Sequence, residues 1–453
     1  MEHIFRAYDV RGIMNREITA DIAAKIGRAF GTYLRGAGRV VIGRDPRVTS
    51  LMFEQAFVAG LCSTGVEVHL AGMLPIPVLN FAVGRYGYDA GAYVTASHNP
   101  PEYNGVRFRR GDGTGYTREN QEVKEIFLRG EFETPEWSGV GRCVELSTES
   151  VLADYQRYLL DRLSLERKLR VVLDIGNGAA GVVAPELFRR AGAEVKTLNA
   201  QADGTFPGRK SEPTPESLAD LAKAVPAMGG AFGAGYDGDA DRVVFVDDLG
   251  RVVQNEKIGI IVAREVLREK GGGVVIANVE CSKIVEEVLT RHGAEVKRVR
   301  VGDVFVCEAI KEFNAVFAME TSAHYFYPDF HPFDDPILIS LKLATILAER
   351  GQKLSEMADE IPSYPKLHRN FNCDDRIKFQ VMERVVQRFR EMGYQPDTTD
   401  GARVVTEHGW ALLRPSNTSP IIRASIEADS REHLKELEEM VERVLGECMR
   451  EFA

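Results

Sequence analysis

Asp237, Asp239 and Asp241, spaced two apart in the stretch YDGDADR, are the strongest chemical signal in this chain of 453 residues. In an extended segment the side chains at i, i+2 and i+4 point the same way, so the three carboxylates would converge. Crowded carboxylates repel unless a cation sits among them, and an all-oxygen donor set suits Mg²⁺. A calcium loop of the DxDxD type also needs Gly at its sixth position and Glu at its twelfth, where this chain has Arg242 and Asp248. The apolar flanks AFGAG and VVFV place the loop at the end of a buried strand.

Three further loops carry chemistry. TASHNPPEYNG holds Ser97 at a strand end, followed by residues suited to a tight exposed turn, Asn99-Pro100-Pro101 and Asn104-Gly105. It is not the GxSxG elbow of a hydrolase. In an extended loop the adjacent His98 would point away from Ser97 and make a poor general base for it. In METSAH, Glu320, Ser322 and His324 fall at alternate positions. A carboxylate, a hydroxyl and an imidazole facing one way suit recognition of sugar hydroxyls or proton transfer by the histidine, although a satisfied structural histidine fits the same residues. RPSNTSP gathers Arg414, Ser416, Asn417 and Thr418, and a guanidinium fork with hydroxyl and amide donors matches a phosphate dianion. Without GxxxxGK[ST] it is no nucleotide P-loop, and viewed alone it serves equally as a turn before the strand IIRASIEA.

A repeated unit must position these loops. Residues 39–72, 169–199 and 273–300 each read as an apolar strand, a helix-length stretch, a glycine and a second strand, with Gly65, Gly192 and Gly293 at the pivots. That is a strand buried on both faces, a crossover helix ended by glycine, and a parallel partner. Each unit is followed by another apolar run ending in a polar loop: AGAYVTASHNP, GGAFGAGYDGDADR and AVFAMETSAH. Ligands of open α/β sheets bind beyond the carboxyl ends of the strands, so three copies with three different loops predict one composite site between units. Further on, IPSYPKLHRNF with Pro362 and Pro365 reads as a linker, and residues 376–392 as a helix. Short strands and the RPSNTSP loop follow, then a charged amphipathic surface helix over residues 431–450 rather than a partner-binding zipper. The expected architecture is α/β, with boundaries at 1–143, 144–248, 249–362 and 363–453. Three similar mixed domains carry the serine, aspartate and METSAH loops in turn, and a smaller C-terminal α+β domain carries RPSNTSP.

Hydrophobic residues make up 44% and charged residues 27%, which is ordinary globular composition and excludes disorder, collagen or coiled coil for the bulk of the chain. A net charge of -10 argues against a general nucleic-acid binder and against an anionic-membrane binder. No apolar run reaches membrane-spanning or signal-peptide length, and no two of the six cysteines form CxxC. The cysteines are expected to be reduced and mostly buried, and the compartment to be the cytoplasm.

TASHNPPEYNG, DGDADR, the degenerate ExSxH loop and RPSNTSP occur in the order and spacing of the α-D-phosphohexomutase superfamily. The chain closely resembles its bacterial and archaeal phosphomannomutase/phosphoglucomutase branch, and the opening FRAYDVRG is similar to that branch's N-terminus. The resemblance implies four domains around a central cleft and interconversion of hexose 1- and 6-phosphates, of mannose or glucose, through a bisphosphorylated sugar. It implies that Ser97 is the phosphoserine and that Asp237, Asp239 and Asp241, with the Ser97 phosphate, hold one Mg²⁺. Arg242 would neutralise charge, Glu320 and Ser322 would read sugar hydroxyls, and Arg414, Ser416, Asn417 and Thr418 would grip the non-reacting phosphate. Tyr8 and Arg11 match cleft residues, His98 and His324 are proton-transfer or orienting candidates, and glucose 1,6-bisphosphate or a similar sugar bisphosphate is the expected activator.

Where the branch has an acid/base lysine this chain has Arg107, which stabilises charge but is a poor base. Where the family has GExSGH it has Met319-Glu320-Thr321-Ser322-Ala323-His324, so a loop whose glycines need positive φ must take another path. Glu280 and Asp303 stand where some relatives place cationic or histidine residues. Other readings are a phosphoglucosamine mutase, against which Asn417 and residues 333–336 (FDDP) lean, a phosphopentomutase, a catalytically silent sugar-phosphate sensor and a metal-dependent phosphatase.

Overall fold

The computed structural model describes residues 2–416 and 420–452. Runs such as RVVIGR, RVVLD and GVVIAN leave no solvent face, and each becomes the central strand of its own sheet. The first sheet contains β1 (Val10–Ile13), β2 (Arg39–Arg44), β3 (Glu67–Met73), β4 (Ala90–Val94), β5 (Tyr103–Arg110) and β6 (Cys143–Glu145), in the order β1-β5-β4-β2-β3-β6. The second has β7 (Arg170–Asp174), β8 (Glu194–Leu198), β9 (Phe232–Tyr236) and β10 (Val243–Asp247), ordered β10-β9-β7-β8. The third has β11 (Gly273–Asn278), β12 (Ala294–Val299), β13 (Phe317–Met319) and β14 (Tyr325–Phe326), ordered β12-β11-β13-β14.

All three repeat one plan. A central strand pairs in parallel with the next two strands, and a fourth returns antiparallel on the third. The pivots have φ of +105° at Gly65, +102° at Gly192 and +82° at Gly293, values that only glycine adopts without a Cβ penalty. The chemically loaded loop of each unit is therefore the hairpin between its third and fourth strands: β4–β5, β9–β10 and β13–β14.

The fourth sheet is antiparallel throughout, with β15 (Lys366–Asn372), β16 (Ala402–Val405), β17 (Gly409–Pro415) and β18 (Ile421–Ala428) in the order β15-β18-β17-β16. KLHRNF is thus not linker but edge strand β15. The helices Lys378–Glu391 and Arg431–Arg450 cover the sheet with apolar stripes that include Val381, Val385 and Phe389 on one and Val441, Val444 and Leu445 on the other. Trp410 and Leu412 of β17 pack on Val279 beside β11 and bind the fourth unit to the third. All six cysteines are free, five of them buried and Cys143 exposed. Among the described residues no helix is long and apolar enough to cross a membrane.

Candidate active site

The serine, aspartate and METSAH hairpins and the strand end at Arg414 meet around one cleft of about 370 Å³, within the size range of small-molecule sites. Tyr8, His98, Arg242, Glu320, Ser322, His324, Arg414 and Ser416 all line it.

Ser97 does not sit in an extended loop. Its φ is +49°, and this left-handed turn brings His98 back beside it, with Nδ1 3.1 Å from Ser97 Oγ. The expectation that His98 points away fails because a turn, unlike a strand, puts consecutive side chains on one side. Ser97 Oγ also lies 3.1 Å from Asp237 Oδ2, so one hydroxyl hydrogen has two acceptors. The Arg242 guanidinium, burial and Arg11 together hold the His98 pKa down at about 2, which leaves the ring neutral, with a lone pair to accept a hydrogen bond. Arg11, on β1, anchors the same loop by donating to Asn99 Oδ1 at 2.5 Å and to Asp9 Oδ2 at 2.7 Å.

The aspartates converge, but through a turn rather than by strand alternation. Ala240 has φ +62°, and the Asp241 and Arg242 amides donate to Asp237 Oδ1 at 3.1 and 3.2 Å. One carboxylate oxygen from each of the three lies within 4.8 Å of the others. Burial and the neighbouring carboxylates push Asp237 well up and Asp239 up to about 6. At Asp241 burial is outweighed by His324, Arg107 and Arg242, which hold it well below the usual carboxylate range. Asp239 Oδ1 and Asp241 Oδ1 are buried without a hydrogen-bond partner among the described residues. Buried orphan oxygens in a strained anionic cluster fit a hard divalent cation such as Mg²⁺.

Arg107, on β5, does not line the cleft. Its guanidinium is buried between Asp241 Oδ2 and Asp303 Oδ2, each at 2.5 Å. The Arg242 Nε–H donates to His324 Nε2 at 3.0 Å, and His324 Nδ1 lies 2.7 Å from Asp334 Oδ2. Burial lowers the His324 pKa, but Asp241 and Asp334 outweigh it and raise the value to about 9. The carboxylates thus favour the cation, whereas the Arg242 contact needs a lone pair on Nε2. The hydrogen-bond geometry is that of the neutral ring, and protonation of Nε2 requires Arg242 to turn away.

The METSAH loop keeps the left-handed path at the position of a family glycine, since Ala323 has φ +71°. The expectation of another path therefore fails there: alanine accepts the strained conformation, and the Ala323 amide donates to the Glu320 carbonyl at 3.2 Å. Glu320 is fixed by Asn278 Nδ2 and the Gly302 amide, each 2.9 Å from Oε1. Arg414 is preset by two carboxylates, Glu280 Oε1 at 2.7 Å and Asp400 Oδ2 at 2.9 Å. Asn417 and Thr418 lie outside the described residues.

Sequence reasoning missed two charged cleft residues, Glu212 and Arg423. For Arg423 a signal existed. The RPSNTSPII hairpin pairs Arg414 of β17 with Arg423 of β18, which brings a second guanidinium next to the first. Glu212 lies in an irregular segment with no comparable cue.

With this geometry the chain matches the phosphoglucomutase/phosphomannomutase family in all four of its domains: α/β/α domain I over residues 2–134, II over 153–250, III over 254–364 and the C-terminal domain over 370–444. It is 40% identical over 452 residues to the "Probable phosphoglucosamine mutase" of Methanopyrus kandleri, covering 100% of this chain and 99% of that one. It is 38% identical over 459 residues to the "Phosphoglucomutase/phosphomannomutase" of Thermococcus kodakarensis, covering 99% and 100%. A solved phosphoglucomutase/phosphomannomutase family protein from Burkholderia thailandensis superposes with a TM-score of 0.91 at 31% identity, covering 99% and 98%. The chain belongs to the phosphoglucomutase/phosphomannomutase family, within the α-D-phosphohexomutase superfamily.

Proposed function

We propose that the protein is a phosphohexomutase that interconverts the 1- and 6-phosphates of mannose or glucose, with Ser97 as the phosphoryl carrier. The observation that carries the reading is the placement of Ser97 Oγ, 3.1 Å from Asp237, beside a cleft that Arg414 and Arg423 also reach. Phospho-Ser97 would hand its phosphoryl group to the free hydroxyl of a bound monophosphate, the bond from phosphorus to Ser97 Oγ breaking as the bond to the sugar oxygen forms and the sugar hydroxyl's proton ending on Ser97 Oγ. The resulting bisphosphate would turn round and return its other phosphate to Ser97. Phosphoryl transfer of this kind needs alignment and charge neutralisation above all.

Asp237, Asp239 and Asp241, together with the Ser97 phosphate, would hold Mg²⁺, which supplies positive charge where negative charge builds up on the phosphoryl group. Arg242 adds charge from the protein side. Neutral His98 is placed to accept the hydrogen bond of the Ser97 hydroxyl and so to orient Oγ, while its low pKa makes it a poor base. Glu320 and Ser322 read sugar hydroxyls, Tyr8 closes the wall, and Arg414 and Ser416 hold the distal phosphate, with Arg423 as a second guanidinium. Arg107 serves as a fixed counter-ion rather than as a base, and His324 orients Arg242.

Incubation with Mg²⁺ and glucose 1,6-bisphosphate tests this reading: phosphate is expected on the Ser97 peptide alone, and phosphate elsewhere or nowhere refutes it. A second reading, the 1- and 6-phosphates of glucosamine, is favoured by the carboxylates of Glu212, Glu280, Asp303 and Glu320 in the cleft wall, which would attract an amino sugar's ammonium.

A further inference from the structure

One guanidinium in the first unit commits four of its five donors to the serine loop. Arg47 has a side chain that is 0% exposed. Its Nε donates to Asp45 Oδ2 at 3.0 Å, Nη1 to the Pro100 and Tyr103 carbonyls at 2.6 and 3.1 Å, and Nη2 to the Ser97 and Asn99 carbonyls at 2.7 and 2.6 Å. A guanidinium carries five N–H groups, so all are placed, four of them on carbonyls of one loop. That loop needs the help. Ser97 occupies the left-handed region, and carbonyls turned inward would lack donors in a site sealed from water.

The other side of Arg47 faces the second unit. Its guanidinium lies 5.1 Å from the centroid of the Phe206 ring, within cation–π range. The backbones there are in contact: a Cβ on Gly204 would come within 2.4 Å of the Pro46 carbonyl and of the Val48 amide nitrogen. At the aspartate loop, a Cβ on Gly238 would sit 2.9 Å from the Ser97 carbonyl oxygen. Asp45 completes the frame, accepting from Ser50 Oγ at 2.6 Å and from Thr95 Oγ1 at 2.8 Å, while Thr95 Oγ1 accepts from the Ser97 amide at 2.7 Å.

We propose that Arg47 is a positioning residue that presets the Ser97 turn and, through Phe206, makes that turn conditional on docking of the second unit. Arg47 lines no part of the cleft and acts through the loop alone. The proposal rests on the reading of Ser97 as the phosphoryl carrier.

The test uses the full chain as Arg47→Ala, Arg47→Lys, Phe206→Ala and Ser97→Ala, with sugar 1-phosphate turnover followed under Mg²⁺ and glucose 1,6-bisphosphate. Misplacing a reacting group by about 1 Å costs on the order of 100-fold, so Arg47→Ala should lose about that much kcat while KM shifts less than about threefold. Added guanidinium should restore at least tenfold of that loss, a rescue that a general packing defect would not show. Arg47→Lys, with three N–H donors in place of a rigid fork of five, and Phe206→Ala should each lose about tenfold in kcat at unchanged KM. If Arg47→Ala does not fold, these two decide by the same criterion. Values of kcat within threefold of the parent in the folded Arg47 variants, or a folded Arg47→Ala that guanidinium does not rescue, overturn the proposal. A silent Ser97→Ala beside a normal Arg47→Ala removes only this proposal, whereas an active Ser97→Ala removes the functional reading beneath it as well.

Discussion

Arg107 and Asp241 form a buried ion pair at 2.5 Å, and the second arm of the same guanidinium reaches Asp303 at the same distance. One cation from the first unit thus neutralises a carboxylate of the second and one of the third. Removing it strands two buried charges. Arg107→Ala should cost about 3–5 kcal/mol of stability in urea denaturation and lower turnover by at least about 100-fold, because the aspartate loop loses its counter-ion. Arg107→Lys keeps the charge but only part of the fork, and should retain more than about a tenth of the activity. An Arg107→Ala variant as stable as the parent would contradict the bridging role.

Cation binding should release protons. Burial and Asp241 raise Asp239 to about 6 and push Asp237 up as well, so the cation-free site takes up protons as the pH falls toward 6. A protonated carboxylate is a poor ligand. The apparent Mg²⁺ affinity should therefore fall as pH drops through about 6, and calorimetry in buffers of different ionisation enthalpy should register proton release. Chelation should abolish turnover, and Mg²⁺ should raise Tm more at pH 8 than at pH 5.

Glu54, in the helix Ser50–Cys62, reports pH through stability rather than catalysis. Burial raises its pKa from 4.5 to about 7, with Arg44 Nε at 3.2 Å offsetting only part of the effect. A carboxyl whose folded-state pKa lies above its unfolded value favours the fold most below the unfolded pKa, and that contribution is lost as pH climbs through the folded one. Glu54→Gln should thus be more stable than the parent at pH 8, by about 1–3 kcal/mol, and gain nothing at pH 4. Urea denaturation at the two pH values measures it, and equal differences at both would contradict the assignment.

Arg423, opposite Arg414 across the β17–β18 hairpin, should bind rather than catalyse. Arg423→Ala is expected to raise KM for a sugar phosphate about tenfold with kcat within about twofold. A fall in kcat at constant KM would place it in the transition state instead.

The repeated units and their pivot glycines are legible in the sequence because strands buried on both faces cannot be written with polar residues. The loop conformations are not. Ser97, Ala240 and Ala323 all take φ between +49° and +71°, and neither serine nor alanine advertises a left-handed backbone. At Ser97 the turn is held by hydrogen bonds from Arg47, fifty residues away, and for that reason an extended reading put His98 on the wrong side of Ser97. The bridging of Arg107 and four of the five donations of Arg47 were invisible for the same reason, since their partners lie in other loops or other units. Arg423 was within reach, because an antiparallel hairpin around RPSNTSP must place it opposite Arg414.

Phosphorus NMR of the full chain with Mg²⁺ and a trace of glucose 1,6-bisphosphate, offered mannose, glucose and glucosamine 1-phosphates in separate samples, tests the central claim most directly. A 6-phosphate resonance should grow with mannose or glucose 1-phosphate and be absent with Ser97→Ala. Growth of inorganic phosphate alone, or a 6-phosphate signal that persists in Ser97→Ala, would contradict a mutase that works through Ser97.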